Sequence, residues 1–179
     1  MNETETRAAE SPKLRLWAAR VIVAAVFIFI TVLIGFKIYS HKKLQAPLDT
    51  IFEEAGATPL KVTARFEKLF QTKTLVFDVR VFGEPGAGIL LRCFYEFAAA
   101  QKNSAYREVK IAYRGRVVLK IDGGTFQALG KDFGMTDMAS LNRRFALAAQ
   151  LPGGKRVMDL DHRILERLLR AAAKRTRGR

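Results

Sequence analysis

Sixteen consecutive residues without a charge, 21–36 (VIVAAVFIFITVLIGF), constrain this chain more than any other stretch. At 1.5 Å per residue a helix of that length reaches about 24 Å, short of the roughly 30 Å hydrocarbon core of a bilayer. Extending it back to Trp17, with Arg20 snorkelling toward the headgroups, brings it to about 30 Å. Twelve of the sixteen are Val, Ile, Leu or Phe. At roughly −0.3 to −0.6 kcal/mol each they favour insertion by about 5 kcal/mol, more than an edge-placed arginine opposes. The expectation is a single membrane-spanning helix.

A cleaved signal peptide would have a shorter apolar run ending at a small-x-small site. The next residues, Lys37-Ile38-Tyr39-Ser40-His41-Lys42-Lys43, offer none, and Leu44-Gln45-Ala46 runs into Pro47. An uncleaved anchor is therefore expected, with Trp17 and Arg20 at one membrane interface and Lys37 and Tyr39 at the other. Orientation is weakly encoded. Arg7, Lys13, Arg15 and Arg20 precede the span, and Lys37, Lys42 and Lys43 come after it. That slim bias places the N-terminus in the cytoplasm and the rest outside, across the inner (plasma) membrane. Thr31 and Gly35 form one small-xxx-small pair, a weak signal for helix association.

Enough chain remains after Phe36 for one domain with a packed core. From Lys37 onward 27 basic residues face 14 acidic ones, so this part alone carries +13 of the net +14. Such a field attracts anionic partners, whether lipid headgroups, nucleic acid or acidic proteins. Cys93 is the single cysteine, so no intrachain disulfide and no thiol-based metal site can form. Its apolar surroundings indicate a small buried side chain.

Along the chain, residues 1–12 read as a disordered polar leader. Pro47 opens a short helix ending near Gly56, and Thr58-Pro59 breaks it. Val62, Ala64, Phe66 and Phe70 alternate with polar residues, as do Leu75, Phe77, Val79 and Val81, which predicts an amphipathic hairpin. A four-residue loop, 71–74, puts Phe70 opposite Leu75 and Phe66 opposite Val79. Residues 87–101 carry Leu90, Leu91, Phe94, Phe97 and Ala98 at helical spacing. A second hairpin joins Val109, Ile111 and Tyr113 to Val117, Leu119 and Ile121. A two-residue turn at Arg114-Gly115 would put the two sets on opposite faces, so a three-residue loop, Arg114-Gly115-Arg116, is expected, pairing Tyr113 with Val117. Thr125 caps a helix to about Phe133, and Thr136 or Asp137 starts another carrying Met138, Leu141, Phe145 and Ala148. Residues 157–160 read as extended, and Asp159 or Asp161 caps a last helix ending near Lys174. Strands grouped in hairpins point to an α+β fold: a four-stranded antiparallel sheet with helices across one face. The expected organisation is a leader (1–12), the membrane helix and its flanks (13–40), a connector with a short helix (41–58), the α+β domain (59–174) and a basic tail (175–179).

Motifs for chemistry are sparse. Gly83-Glu84-Pro85-Gly86-Ala87-Gly88 lies between a strand and a helix but lacks the Gly-Lys-Ser/Thr of a phosphate loop, and Glu84 would repel phosphate. His41 and His162 have no partner at metal spacing, and Asp159-Leu160-Asp161-His162 would point in divergent directions on a helix. Ser104 and Ser140 lie outside any nucleophile elbow. No catalytic, cofactor or metal site is expected.

The sharpest remaining feature is the C-terminal helix. Ile164, Leu165, Leu168, Leu169 and Ala172 share one face, and Arg163, Arg167, Arg170 and Lys174 the other, with Arg175 beyond. A basic amphipathic helix can lie on an anionic membrane or dock onto a partner, so these five basic residues are the candidate contacts. Packing on its own domain accounts for the same pattern. The tail has no aromatic residue, which disfavours nucleic acid as its partner. The plan resembles that of many single-pass bacterial envelope proteins, by architecture alone. The expected function is a membrane-anchored, non-enzymatic interaction or assembly domain with a membrane or envelope protein partner; the alternative is a cytoplasm-facing domain that binds anionic lipid or nucleic acid.

Overall fold

A computed structural model describes residues 12–56, 60–68, 71–81 and 87–154. The leader, residues 155–160, and the last helix with Arg163, Arg167, Arg170, Lys174 and Arg175 lie outside them. Two compact units result, Met1–Ile38 and Tyr39–Arg179.

In the first unit, helix α1 (Pro12–Ser40) carries the apolar stretch. Its side chains are uncovered on every side: Val23, Phe27 and Ile28 are 69%, 72% and 63% exposed. A helix apolar all round and left exposed is consistent with anchoring in a membrane. The run Arg20–Glu54 is long and apolar enough to cross one. The Thr31 hydroxyl donates to Phe27 O within the helix, so it needs no partner helix for its hydrogen bond.

In the stretch expected as a connector with a short helix from Pro47, helix already begins before the proline: a π turn (His41–Gln45) leads into α2 (Ala46–Glu54). Pro47 explains the wide turn. It has no N–H to offer Lys43 O, and its ring would collide with that carbonyl in a regular helix. The orphaned Lys43 O accepts instead from Gln101 Nε2 at 2.7 Å.

The second unit holds a sheet of β1 (Lys61–Lys68), β2 (Gln71–Val81), β3 (Glu108–Tyr113) and β4 (Arg116–Asp122), in the order β1-β2-β3-β4. The two hairpins are antiparallel, but β2 and β3 run parallel, so the sheet is mixed and the expected all-antiparallel arrangement is corrected. The cause is α3 (Ala87–Ala100), which carries the chain back across the sheet so that β3 starts from the same end as β2. Alternation within each hairpin is the same for either direction of the central pair, so the pattern could not reveal it.

The register of the first hairpin and the turn of the second also differ from expectation. In the first, Phe66 faces Leu75 and Ala64 faces Phe77, with Lys68 opposite Gln71. The slip is an even number of residues, so the apolar faces remain together. In the second, Arg114 and Gly115 form a two-residue turn with φ of 48° and 82°, and Tyr113 pairs with Arg116. A bulge between Ile111 and Ala112 on the pairing ladder then restores Ile111 opposite Leu119 and Val109 opposite Ile121. A bulge does what loop length was expected to do.

Helices α4 (Gly123–Asp132) and α5 (Met138–Ala148) complete the unit. Asp122, rather than Thr125, caps α4 by accepting from Thr125 N, and Asp137 caps α5 through Ser140 N. The core centres on Phe94 of α3. Its ring meets Phe77 of β2 edge-on at 5.2 Å, Phe126 of α4 at 5.6 Å and Phe145 of α5 at 5.6 Å. One ring thus joins the sheet to three helices. The π turn and α2 insert Leu44 and Leu48, both fully buried, beside α3 and β1.

Candidate functional site

The residues expected at the membrane interfaces, Trp17, Arg20, Lys37 and Tyr39, stand on the surface of the helical run. Trp17 is 68% exposed, and Arg20, Lys37 and Tyr39 are exposed. From Trp17 to Tyr39 a helix rises about 33 Å, close to the thickness of a hydrocarbon core. Lys43 Nζ donates to the Tyr39 hydroxyl at 3.3 Å and lies 5.7 Å from its ring centroid. A cation and an aromatic ring packed together suit a headgroup layer.

Two glutamines hold the next segment. Gln45 presents its amide to the outer edge of β1 as a peptide group would: Oε1 accepts from Ala64 N at 3.1 Å and Nε2 donates to Val62 O at 3.4 Å. Gln101, at 4% exposure, donates to Lys43 O while its Oε1 accepts from Tyr106 Oη at 2.8 Å and Ser104 Oγ at 3.1 Å. Amides with both ends satisfied stabilise a unique arrangement.

The sheet face opposite Phe77 is charged. Lys110 of β3 reaches across Val76 to Glu67 of β1, and Glu108 lies 3.4 Å from Lys110 and 3.7 Å from Lys120. Val76, the neighbour of Lys110 across the β2–β3 pairing, is buried on this face. The hydrogen bond from Lys110 lowers the Glu67 pKa. Burial alone would lower that of Lys110, but Glu67 and Glu108 outweigh it and raise it. Both shifts move away from neutrality, opposite to the tuning a general acid or base needs. A cleft of about 410 Å³ beside this lattice is lined by Glu67, Lys68, Thr74, Arg107, Glu108 and Lys120, among others. Its charges alternate in sign and neutralise one another.

Asp78 is the residue that sequence reasoning missed. Its carboxylate is fully buried, and Oδ1 accepts from Gly115 N at 2.9 Å. Arg80 Nη2 lies 3.0 Å from Oδ2, near enough to pair in charge but off the line of a hydrogen bond. The signal was present in Leu75-Val76-Phe77-Asp78-Val79, where apolar residues of both parities mark a strand covered on both faces. Asp78 ties the second hairpin's turn to β2, aided by Arg114 N donating to Val79 O at 2.9 Å and Arg114 Nε to Arg80 O at 3.3 Å. Strand pairing thereby gathers Lys61, Arg80, Arg114 and Arg116 at one end of the sheet. These residues are far apart in sequence, so no local pattern announced the cluster.

Cys93 is fully buried, and burial with the nearby Glu96 charge pushes its thiol up to about 11, so it is inert at neutral pH. Among the described residues no group of three or more His, Cys, Asp and Glu side chains is placed to hold a metal ion. Between α4 and α5 runs a groove of about 400 Å³, lined by Ala128, Leu129, Leu147 and Ala148, with Asp122, Thr125 and Gln150 on its rim. The candidate contacts Arg163, Arg167, Arg170, Lys174 and Arg175 lie outside the described residues, so the geometry brings none of them to a site. Compared with known protein families, curated proteins and solved structures, the chain matches none.

Proposed function

We propose that this protein is a single-pass, membrane-anchored interaction domain of a bacterial cell envelope, non-enzymatic, which docks onto another protein of the same membrane. The observation that carries the reading is the uncovered apolar helix α1, joined in sequence to a unit with its own aromatic core. Tethering raises the effective concentration of a partner in the same bilayer, which makes a weak docking surface sufficient. The paired charges of Glu67, Glu108, Lys110 and Lys120 suit a recognition surface better than a reaction centre. In this reading α1 lies in the inner membrane with the N-terminus in the cytoplasm and the domain outside. Full-length protein extracted in mild detergent should co-purify with specific membrane proteins. Recovery of this chain alone would count against the proposal.

A second reading draws on Lys61, Arg80, Arg114 and Arg116 at one sheet end and on the +13 charge. It has the domain in the cytoplasm, bound to anionic lipid or nucleic acid through contacts that weaken steeply with salt. Reporter fusions at Arg179, active on one side of the membrane only, separate the two. An external signal supports the first and a cytoplasmic signal the second.

A further inference from the structure

Between Arg20 and Asp49 the chain carries no acidic residue, and between Glu96 and Glu108 it again carries none. These two acid-free stretches meet in the folded unit. Gln101, in the turn after α3, donates to Lys43 O at 2.7 Å. Lys102, the next residue, is therefore held no more than about 14 Å from Lys43 between α-carbons. Lys42 and Lys102 are exposed, and Lys43 is partly so. The described ion pairs engage Arg80, Arg92, Lys110, Lys120 and Arg144, so no described carboxylate pairs with any of these three lysines.

Their depth follows from the helix that carries them. The apolar run stops at Phe36, and Tyr39 opens the folded unit. By helical rise Lys42 and Lys43 lie about 10 Å beyond Phe36, just outside a headgroup layer of about 5–8 Å. Side chains on a helix lean toward its N-terminus, which for an anchored α1 is the membrane side. Lys43 does this, reaching back one turn so that its Nζ donates to the Tyr39 hydroxyl at 3.3 Å. We propose that Lys42, Lys43 and Lys102 seat the headgroup of an anionic phospholipid, with the Tyr39 hydroxyl free to donate its own proton to the phosphate. Lys102 sets this seat apart from an ordinary basic flank, because the Gln101 hydrogen bond brings it there and sequence proximity does not. A zwitterionic headgroup would add a further cation to the same place, so the seat favours lipids of net negative charge. It requires α1 in a bilayer, but neither the protein partner nor the orientation proposed above.

The test is electron paramagnetic resonance on full-length protein reconstituted into phosphatidylcholine bilayers. It compares how strongly the protein immobilises spin-labelled phosphatidylglycerol and spin-labelled phosphatidylcholine. Phosphatidylglycerol should be favoured, and the preference should shrink as salt is added. A lysine at an anionic surface contributes up to about fivefold, so Lys102→Gln should lower the preference by about two- to fivefold. Lys102→Arg should keep it. Arg143→Gln, an equal loss of charge at an exposed position on α5, should leave it unchanged. Equal immobilisation of both lipids, or a preference unchanged in Lys102→Gln, overturns the proposal and leaves the anchor standing. So does an equal loss in Arg143→Gln, which makes the preference one of net charge. A chain that fails to enter the bilayer removes the anchor itself, and the seat with it.

Discussion

Gly130 and Gly88 show how the same substitution changes sign with its surroundings. In a helix with open space, replacing glycine by alanine stabilises by up to about 1 kcal/mol. A Cβ at Gly130 would sit 2.2 Å from the Ala98 carbonyl oxygen, because α3 and α4 approach backbone to backbone there. A Cβ at Gly88 would meet nothing within 4 Å. Gly130→Ala should therefore destabilise the domain by about 1–3 kcal/mol, as overpacking does, and Gly88→Ala should not. Thermal unfolding of the two variants side by side checks this. Neither glycine is distinguished by its immediate sequence, since close approach of α3 and α4 is a property of two segments. Asp78 teaches the same lesson. Its strand position was legible, but its role as the anchor of the Arg114-Gly115 turn depends on β3 running parallel to β2.

At the scale of elements, the apolar periods marked every strand and helix of the described domain, while the joints between them escaped. The π turn shows why. Pro47 was read as a helix start and stands in the first turn of α2, but the chain before it is helical too, and the Lys43 carbonyl it leaves free is bound by Gln101, 58 residues further along. The α4 cap was misplaced by three residues, since Asp122 and Thr125 are both good caps and only the backbone path selects between them. Burial pushes the Asp122 carboxyl up, but the hydroxyl and amide of Thr125 outweigh it and hold the pKa below the usual 3.8. A depressed carboxylate stabilises above its unfolded pKa, and that contribution fades as pH falls through the folded one. Asp122→Ala should cost about 1 kcal/mol at pH 7. The gap between variant and parent should narrow as the pH falls below about 4. Urea titrations at pH 7 and pH 3 measure both.

For the whole molecule, the boundary between anchor and domain is set by burial rather than hydropathy. Leu44 and Leu48 are fully buried, and Gln45 occupies the β1 edge, so the domain begins well before its first strand. A fragment 40–179 should be soluble and unfold cooperatively. A fragment 47–179 loses Leu44, Gln45 and the carbonyl that Gln101 binds, and should be less stable by about 3 kcal/mol or more, as for loss of a buried leucine. Equal stability of the two would show that the π turn contributes nothing to the domain.

By itself the sequence determined the apolar helix, the strand and helix segments, and which face of each is apolar, because burial imposes periods of 3.6 and 2 on neighbouring residues. Tertiary structure alone decided the parallel central pair, the register of the first hairpin, the gathering of Lys61, Arg80, Arg114 and Arg116, and the burial of Asp78. The parallel pair and the gathered cations depend on where α3 returns the chain across the sheet, and a local period is blind to contacts between residues tens of positions apart.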